Sequence, residues 1–310
     1  MVTERDEIVV IGDVPADIRA ALSAEFTLQD HPLEGTAARG VADLPRDCRA
    51  IATRAVLGVP PGVIDALPNL GLVLSLGAGL DRIDQPALAA RGITLAYTAD
   101  QFTEDVADFA LGLIYAAQRQ IVAADRFARR GAWPGARFAT TRRVSNRRVG
   151  IVGLGRIGNR IAGKCAALGM DVAYHSRSPR PDSEYTYHDD LAGLAQASDI
   201  LVLACAASAA PRKLVTGEIL SALGPEGILV NIARGSVVDE AALLDALEQG
   251  RLGGAALDVF ESEPDFDPRF RALDNVVLTP HAASFTFEAR RAVIDHLLAE
   301  ARRFFTAARG

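Results

Sequence analysis

Cysteine is scarce in this chain: Cys48, Cys165 and Cys205 are the only three in 310 residues. Their separations fit no metal-ligand pattern, and each lies beside apolar or helical sequence. They therefore read as reduced packing residues, and the sequence predicts neither a disulfide framework nor a metal site. No apolar run approaches the ~20 residues that span a bilayer. The start, Met1 to Glu7, is charged and leads straight into an apolar strand, without the regions of a secretory signal. Short repeats and low-complexity tracts are missing as well. So is an excess of positive charge: the formal net charge is −6, which argues against general nucleic-acid binding, and neither a nucleic acid nor a membrane is expected as a partner. What remains is the profile of a cytoplasmic globular protein, 49% apolar and long enough for two domains.

Apolar strand-like runs alternate with amphipathic helical ones, the pattern of parallel α/β sheets. Strands are expected at Ile8 to Ile11, Ala50 to Thr53, Leu72 to Leu76, Thr94 to Tyr97, Arg148 to Val152, Val172 to Tyr174, Ile200 to Ala204, Ile228 to Ile232, Ala255 to Val259 and Val276 to Leu278. Helices are expected near 16–25, 62–67 and 85–90, in one long stretch over 103–130, and over 285–307.

The most informative segment is Gly153-Leu-Gly155-Arg156-Ile157-Gly158, which follows an apolar strand and opens a helix. Gly153 permits the tight turn, Gly155 lets backbone approach a pyrophosphate, and Gly158 lets the helix pack on the strand. The pyrophosphate would sit over the unpaired N–H groups at the helix start, beside Arg156 and Ile157. At the end of the next strand an NAD site usually carries an acidic residue for the ribose 2′-hydroxyl. This chain has Ser176 and Arg177, then Arg180. A hydroxyl and guanidinium groups suit a 2′-phosphate, so NADP(H) is the preferred cofactor, with NAD(H) still possible.

Because this fingerprint falls in mid-chain, the nucleotide domain is expected as an insertion. Residues 1–99 and 285–310 then form one flavodoxin-like or Rossmann-like lobe and residues 100–284 the other, with hinge crossings near Ala99 and Ser284. A cleft between such lobes is a usual small-molecule site. Four further segments put polar groups at strand ends: 76–84, 231–239, 256–264 and 279–284. They single out Arg234, Asp258, Glu263 and His281, because ligands bind at the carboxyl ends of parallel strands.

In that order these motifs resemble the D-isomer-specific 2-hydroxyacid dehydrogenases, over nearly the whole chain. Thr98 to Gly112, together with Ser176-Arg-Ser178, is similar to the NADPH-dependent glyoxylate/hydroxypyruvate and hydroxyphenylpyruvate reductase branch. The resemblance implies that Arg234 holds the carbonyl and carboxylate of a small 2-oxo or 2-hydroxy acid, that His281 is the acid/base, and that Glu263 pairs with it. Reduction of a 2-oxo acid places negative charge on the C2 oxygen, where a proton donor and a fixed cation stabilise the transition state. A carboxylate beside the histidine would favour the imidazolium near neutral pH. Backbone N–H groups of Ala78 and Gly79 are candidate anchors for the substrate carboxylate. Leu57 and Leu76, with Trp133, are candidate pocket walls. Around the cofactor the resemblance implies Asp258 at the nicotinamide carboxamide and Thr103 and Val106 on the other side of the ring. Cys205, Ala233 and Ser284 complete the expected cofactor contacts.

Two motifs depart from the family pattern. The loop from Cys205 to Val215 lacks the usual Pro-Leu-Thr, and Ala283 stands where many members have glycine two residues after the histidine. The family resemblance also implies a homodimer, with Trp133 either packed at the interface or reaching the partner's site. The rival readings are an NADH-linked enzyme for another D-2-hydroxyacid or a small anion such as formate or phosphite, and a non-catalytic dinucleotide sensor. Against formate, the family's formate enzymes usually pair glutamine with the histidine.

Overall fold

The computed structural model describes residues 5–31, 43–60, 62–98, 100–206 and 210–307. The chain forms two compact units, Met1–Phe102 with Thr286–Gly310, and Thr103–Phe285. The hinge position expected at Ala99 lies outside the described residues.

In the first unit, strands β1 (Glu7–Ile11), β2 (Thr27–His31), β3 (Ala50–Arg54), β4 (Leu72–Leu76) and β5 (Thr94–Tyr97) form a parallel sheet in the order β2-β1-β3-β4-β5. That is the flavodoxin-like order. The period-2 geometry of a strand sends neighbouring side chains to opposite faces, and both faces are covered. Ile8, Val10, Ala50, Ala52, Leu72 and Leu74 join one cluster, whereas Val9, Ile11, Ile51 and Val73 join the other. Continuous apolar runs are what such doubly covered strands require. The first face is closed by α1 (Ala16–Ser23) and by the last helix of the chain, over Phe287–Ala307. That last helix buries Ala289, Val293, Leu297, Ala301 and Phe305, a row spaced by four residues along one face. Strand β2 was not expected from the sequence. It is an edge strand of mixed polarity, Thr-Leu-Gln-Asp-His, with no residue fully buried, so it carries no apolar run to announce it.

Within the first unit α2 (Val63–Ala66) and α3 (Gln85–Ala90) follow β3 and β4. The second unit begins with α4 (Thr103–Gln118) and α5 (Ile121–Arg129), where one continuous helix was expected. The break is at Gln120, in the left-handed region at φ 48°. Its cause is packing: α4 buries Val106, Ala107, Ala110, Leu113, Ile114 and Ala117, but the stripe ends at Gln118 and α5 buries nothing.

Seven parallel strands follow: β6 (Arg148–Val152), β7 (Asp171–His175), β8 (Thr186–His188), β9 (Ile200–Leu203), β10 (Ile228–Asn231), β11 (Gly254–Leu257) and β12 (Val276–Leu278). Their order is β12-β11-β10-β9-β6-β7-β8, which is the Rossmann arrangement with its topological switch between β6 and β9. Helix α6 (Arg156–Ala167) connects β6 to β7. The strands β9 and β10 are buried at every position, and their carboxyl ends deliver the chemically equipped loops. No helix among the described residues is long and apolar enough to cross a membrane.

Candidate active site

The turn from β6 into α6 shows three different demands on three glycines. Gly153 has φ 95°, and a Cβ there would stand 2.6 Å from the Cα of Cys205. At Gly158 a Cβ would fall 2.0 Å from the carbonyl oxygen of Gly153. Gly155, by contrast, is exposed, and a Cβ would meet nothing within 4 Å. The first two are therefore needed by the fold itself, whereas Gly155 borders open space at a helix N-terminus. The first turn of α6 holds no acidic residue, and no side chain caps it. A helix start with no side-chain cap and open space beside a glycine suit a pyrophosphate, so the residues present fit a dinucleotide.

At the end of β7, Ser176 is half-buried and its hydroxyl donates to the carbonyl of Ser178 at 2.6 Å. Arg177 is exposed. Across the turn, Cys205 is half-buried against Gly153, and burial raises its thiol pKa. Burial also pushes the Cys48 thiol to about 11 and the Cys165 thiol to about 12, so both stay protonated packing groups. Residues 207–209 of the loop after Cys205 lie outside the described residues. Thr103 opens α4 half-buried, and Val106 is buried one turn later.

Arg234 is positioned by a residue to which the sequence reading gave no role. Asn231 ends β10, 1% exposed, and its amide bridges the next turn. Its Oδ1 accepts from the N–H of Ala233 at 3.0 Å, and its Nδ2 donates to the carbonyl of Arg234 at 3.0 Å. The Arg234 guanidinium donates back to the carbonyl of Ala233 at 2.7 Å. Gly235 then packs so closely on the Phe260–Glu261 backbone that a Cβ would stand 1.8 Å from the Phe260 carbonyl carbon. An asparagine closing an apolar strand before a turn was the available signal.

Asp258, just beyond β11, is also 1% exposed. Its Oδ1 accepts from Thr279 Oγ1 at 2.6 Å and from the N–H of Ala282 at 2.9 Å, while Oδ2 accepts from the N–H of Ala283 at 3.0 Å. Its own carbonyl accepts from the N–H of His281 at 2.9 Å. Three of about four lone-pair sites on this carboxylate are thus spent on the turn that carries the histidine. That turn needs the support, because His281 sits in the left-handed region at φ 53°, uncommon for a side chain of its size.

Glu263 completes the group. Its Oε1 accepts from the N–H of Phe260 at 2.9 Å, and Oε2 lies 2.8 Å from His281 Nδ1. Burial alone would raise the Glu263 pKa. The hydrogen bond from His281, the Phe260 N–H and the charges of His281 and Arg234 outweigh it, and the carboxyl titrates below its usual value. An ionised Glu263 fixes the tautomer: Nδ1 carries the proton toward the carboxylate, and Nε2 is left for other chemistry. Side-chain exposure is 39% for His281 and 32% for Glu263, so the pair is accessible from outside the unit. Ser284, half-buried, ends the segment. Trp133 is 74% exposed and takes no part in this cluster.

In the first unit, Leu57 lies beyond the carboxyl end of β3, Leu76 is the last residue of β4, and Ala78 and Gly79 follow it. The strand ends are held by Ala55, which donates to the Leu76 carbonyl at 2.8 Å, and by the N–H of Gly77, which donates to Thr98 Oγ1 at 2.8 Å. Leu57 and Leu76 are half-buried. The N–H groups of Ala78 and Gly79 donate to no other described residue, and small side chains leave them approachable. They are proposed as donors to a carboxylate.

Residues 111–283 match the model of the NAD binding domain of D-isomer specific 2-hydroxyacid dehydrogenases. The chain is 43% identical over 258 residues to hydroxyphenylpyruvate reductase of Plectranthus scutellarioides, covering 83% of this chain and 82% of the relative. It is 40% identical over 301 residues to 2-ketogluconate reductase of Gluconobacter oxydans, covering 96% of each. A solved structure of NADPH-dependent glyoxylate/hydroxypyruvate reductase from Sinorhizobium meliloti, in complex with NADP and malonate, matches with a TM-score of 0.87 at 38% identity. That match covers 97% of this chain and 94% of the other.

Proposed function

The chain belongs to the D-isomer specific 2-hydroxyacid dehydrogenases, NAD(P)-dependent oxidoreductases, and on that premise we propose that it reduces a small 2-oxo acid of the glyoxylate or hydroxypyruvate kind to the D-2-hydroxy acid with NADPH. The observation that carries the proposal is the Glu263–His281 pair at 2.8 Å, with the Arg234 charge close enough to act on the same carboxylate. When bound, the reduced nicotinamide supplies a hydride to C2 of the substrate. His281 Nε2 gives its proton to the C2 oxygen, and Glu263 holds the ring in the orientation and tautomer for that transfer. The Arg234 guanidinium offers parallel donors to the carbonyl and carboxylate of the 2-oxo acid and stabilises the developing alkoxide. Asp258 acts at one remove by fastening the turn that carries His281, and its remaining lone pair is free to accept from a carboxamide.

The preference for NADPH is supported by Ser176 and Arg177 in place of an acidic ribose ligand, and by the NADP complex of the relative from Sinorhizobium meliloti. A homodimer in the cytoplasm belongs to the same reading. Ile121 at 51% and Trp133 at 74% exposure, with no buried residue in α5, support cover by a second copy. The test is a panel of glyoxylate, hydroxypyruvate, hydroxyphenylpyruvate and 2-ketogluconate assayed with each reduced cofactor, with the product analysed on a chiral phase. Turnover with NADPH to the D-product is expected. An L-product, or no turnover of any 2-oxo acid, would contradict the proposal.

A further inference from the structure

Strands β7 and β8 pair in parallel, with Tyr174 opposite Tyr187 and His175 opposite His188. The two tyrosine rings are 5.4 Å apart at 51°. Both spend their hydroxyls on the loop that follows β7. Tyr174 Oη accepts from the N–H of Arg180 at 2.7 Å, and Tyr187 Oη donates to the carbonyl of Ser176 at 3.2 Å. The first half of the loop, Ser176 to Arg180, is thereby held at both ends. Between them Ser176 Oγ donates to the Ser178 carbonyl at 2.6 Å, and beside them His175 Nδ1 lies 2.9 Å from the His188 carbonyl. Arg177 and Arg180, by contrast, are exposed, and their guanidinium groups make no ion pair or hydrogen bond to another described residue.

This is a fixed backbone presenting two uncommitted cations. A phosphate bound by arginines on a mobile loop must order that loop, whereas a loop already hooked at Ser176 and Arg180 has little left to lose. We infer that Tyr174 and Tyr187 are positioning residues for recognition of the nucleotide's 2′-phosphate. They set the loop that aims Arg177 and Arg180, and they touch the cofactor nowhere themselves. The inference rests on the NADPH reading above. It goes beyond that reading by placing part of the discrimination in two hydroxyls that carry no charge and lie beneath the loop, with Tyr174 only 1% exposed.

The test uses the whole protein and two nucleotide fragments. Calorimetry measures the affinity of the wild type, Tyr174→Phe and Tyr187→Phe for adenosine 2′,5′-bisphosphate and for adenosine 5′-monophosphate at one fixed salt concentration. The wild type is expected to prefer the bisphosphate. Loss of one hydroxyl is expected to weaken the bisphosphate about 2- to 12-fold while leaving the monophosphate within about twofold. A general packing defect would weaken both ligands alike. Equal losses on both, or no loss on either, overturn the positioning role while leaving the NADPH reading intact. A wild type that does not distinguish the two fragments overturns the NADPH reading and this inference with it. Tyr187 is half-buried on the edge strand, so Tyr187→Phe carries the test if the buried substitution fails to fold.

Discussion

Glu263 Oε2 and His281 Nδ1 are 2.8 Å apart, and the second Glu263 oxygen is held by the N–H of Phe260, so the carboxylate cannot turn away from the ring. The relationship has two consequences. It leaves Nε2 as the nitrogen proposed to exchange protons, and it keeps a negative charge beside the imidazole wherever Glu263 is ionised. That carboxyl titrates below its usual value, so the charge persists into weakly acidic solution.

The pH behaviour follows from the sign of that shift. A carboxyl with a lowered folded pKa contributes stability that is present above its unfolded value and is lost as pH falls through the folded one. The stability gap between wild type and Glu263→Gln should therefore close on acidification. Glu263→Gln also removes the carboxylate that accepts from His281 Nδ1 and sets the ring's tautomer, so kcat/KM for reduction should fall. A variant that keeps the wild-type kcat/KM, with the chemical step shown to limit the rate, would leave Glu263 without that orienting role.

Arg234→Lys keeps the charge but not the planar fork, and an ammonium cannot offer two parallel donors to a 2-oxo acid. A fall of at least about tenfold in kcat/KM is expected, the equivalent of losing one charge-assisted hydrogen bond. A nearly silent substitution would remove Arg234 from substrate binding.

The glycines separate fold from function. Gly158→Ala forces a Cβ to within 2.0 Å of the Gly153 carbonyl oxygen. Overpacking of this kind costs about 1–3 kcal/mol, or about 2–12 °C in Tm for a unit of this size. Gly155→Ala meets nothing within 4 Å and should melt close to the wild type, while NADPH binding weakens because the methyl stands where the pyrophosphate is proposed. Scanning calorimetry and a cofactor titration on both variants check the pair. Equal Tm losses would show that both positions serve packing alone.

Cofactor choice should follow the end of β7. Ser176→Asp combined with Arg177→Ala places a repelling carboxylate at the 2′-position and removes a cation, so the preference should pass to NADH. A wild type with higher kcat/KM for NADH than for NADPH contradicts the assignment.

The fold was legible in the sequence where burial is two-sided. Runs such as Ile8 to Ile11 and Ile200 to Leu203 are apolar throughout because both faces of their strands are covered, and the glycine turn announces its own geometry. The edge strands β2 and β8 were not legible, since Thr27–His31 and Thr186–His188 mix polar and apolar residues without a pattern. The break at Gln120 was hidden because it depends on where packing ends and not on a local breaker residue. At the site, Arg234, Glu263 and His281 stood out by motif. The residues that aim them did not: Asn231, Thr279 and the Phe260 N–H act through hydrogen bonds that close only when distant loops meet at the strand ends.

The most direct test of the account is the kcat for glyoxylate reduction by His281→Ala, taken with the NADPH Kd of the same variant. Loss of a general acid is expected to lower kcat about 10² to 10⁴-fold, while NADPH binding stays within a few-fold because the imidazole acts on the substrate oxygen. A variant that keeps near-wild-type kcat would contradict the assignment of His281 as the proton donor.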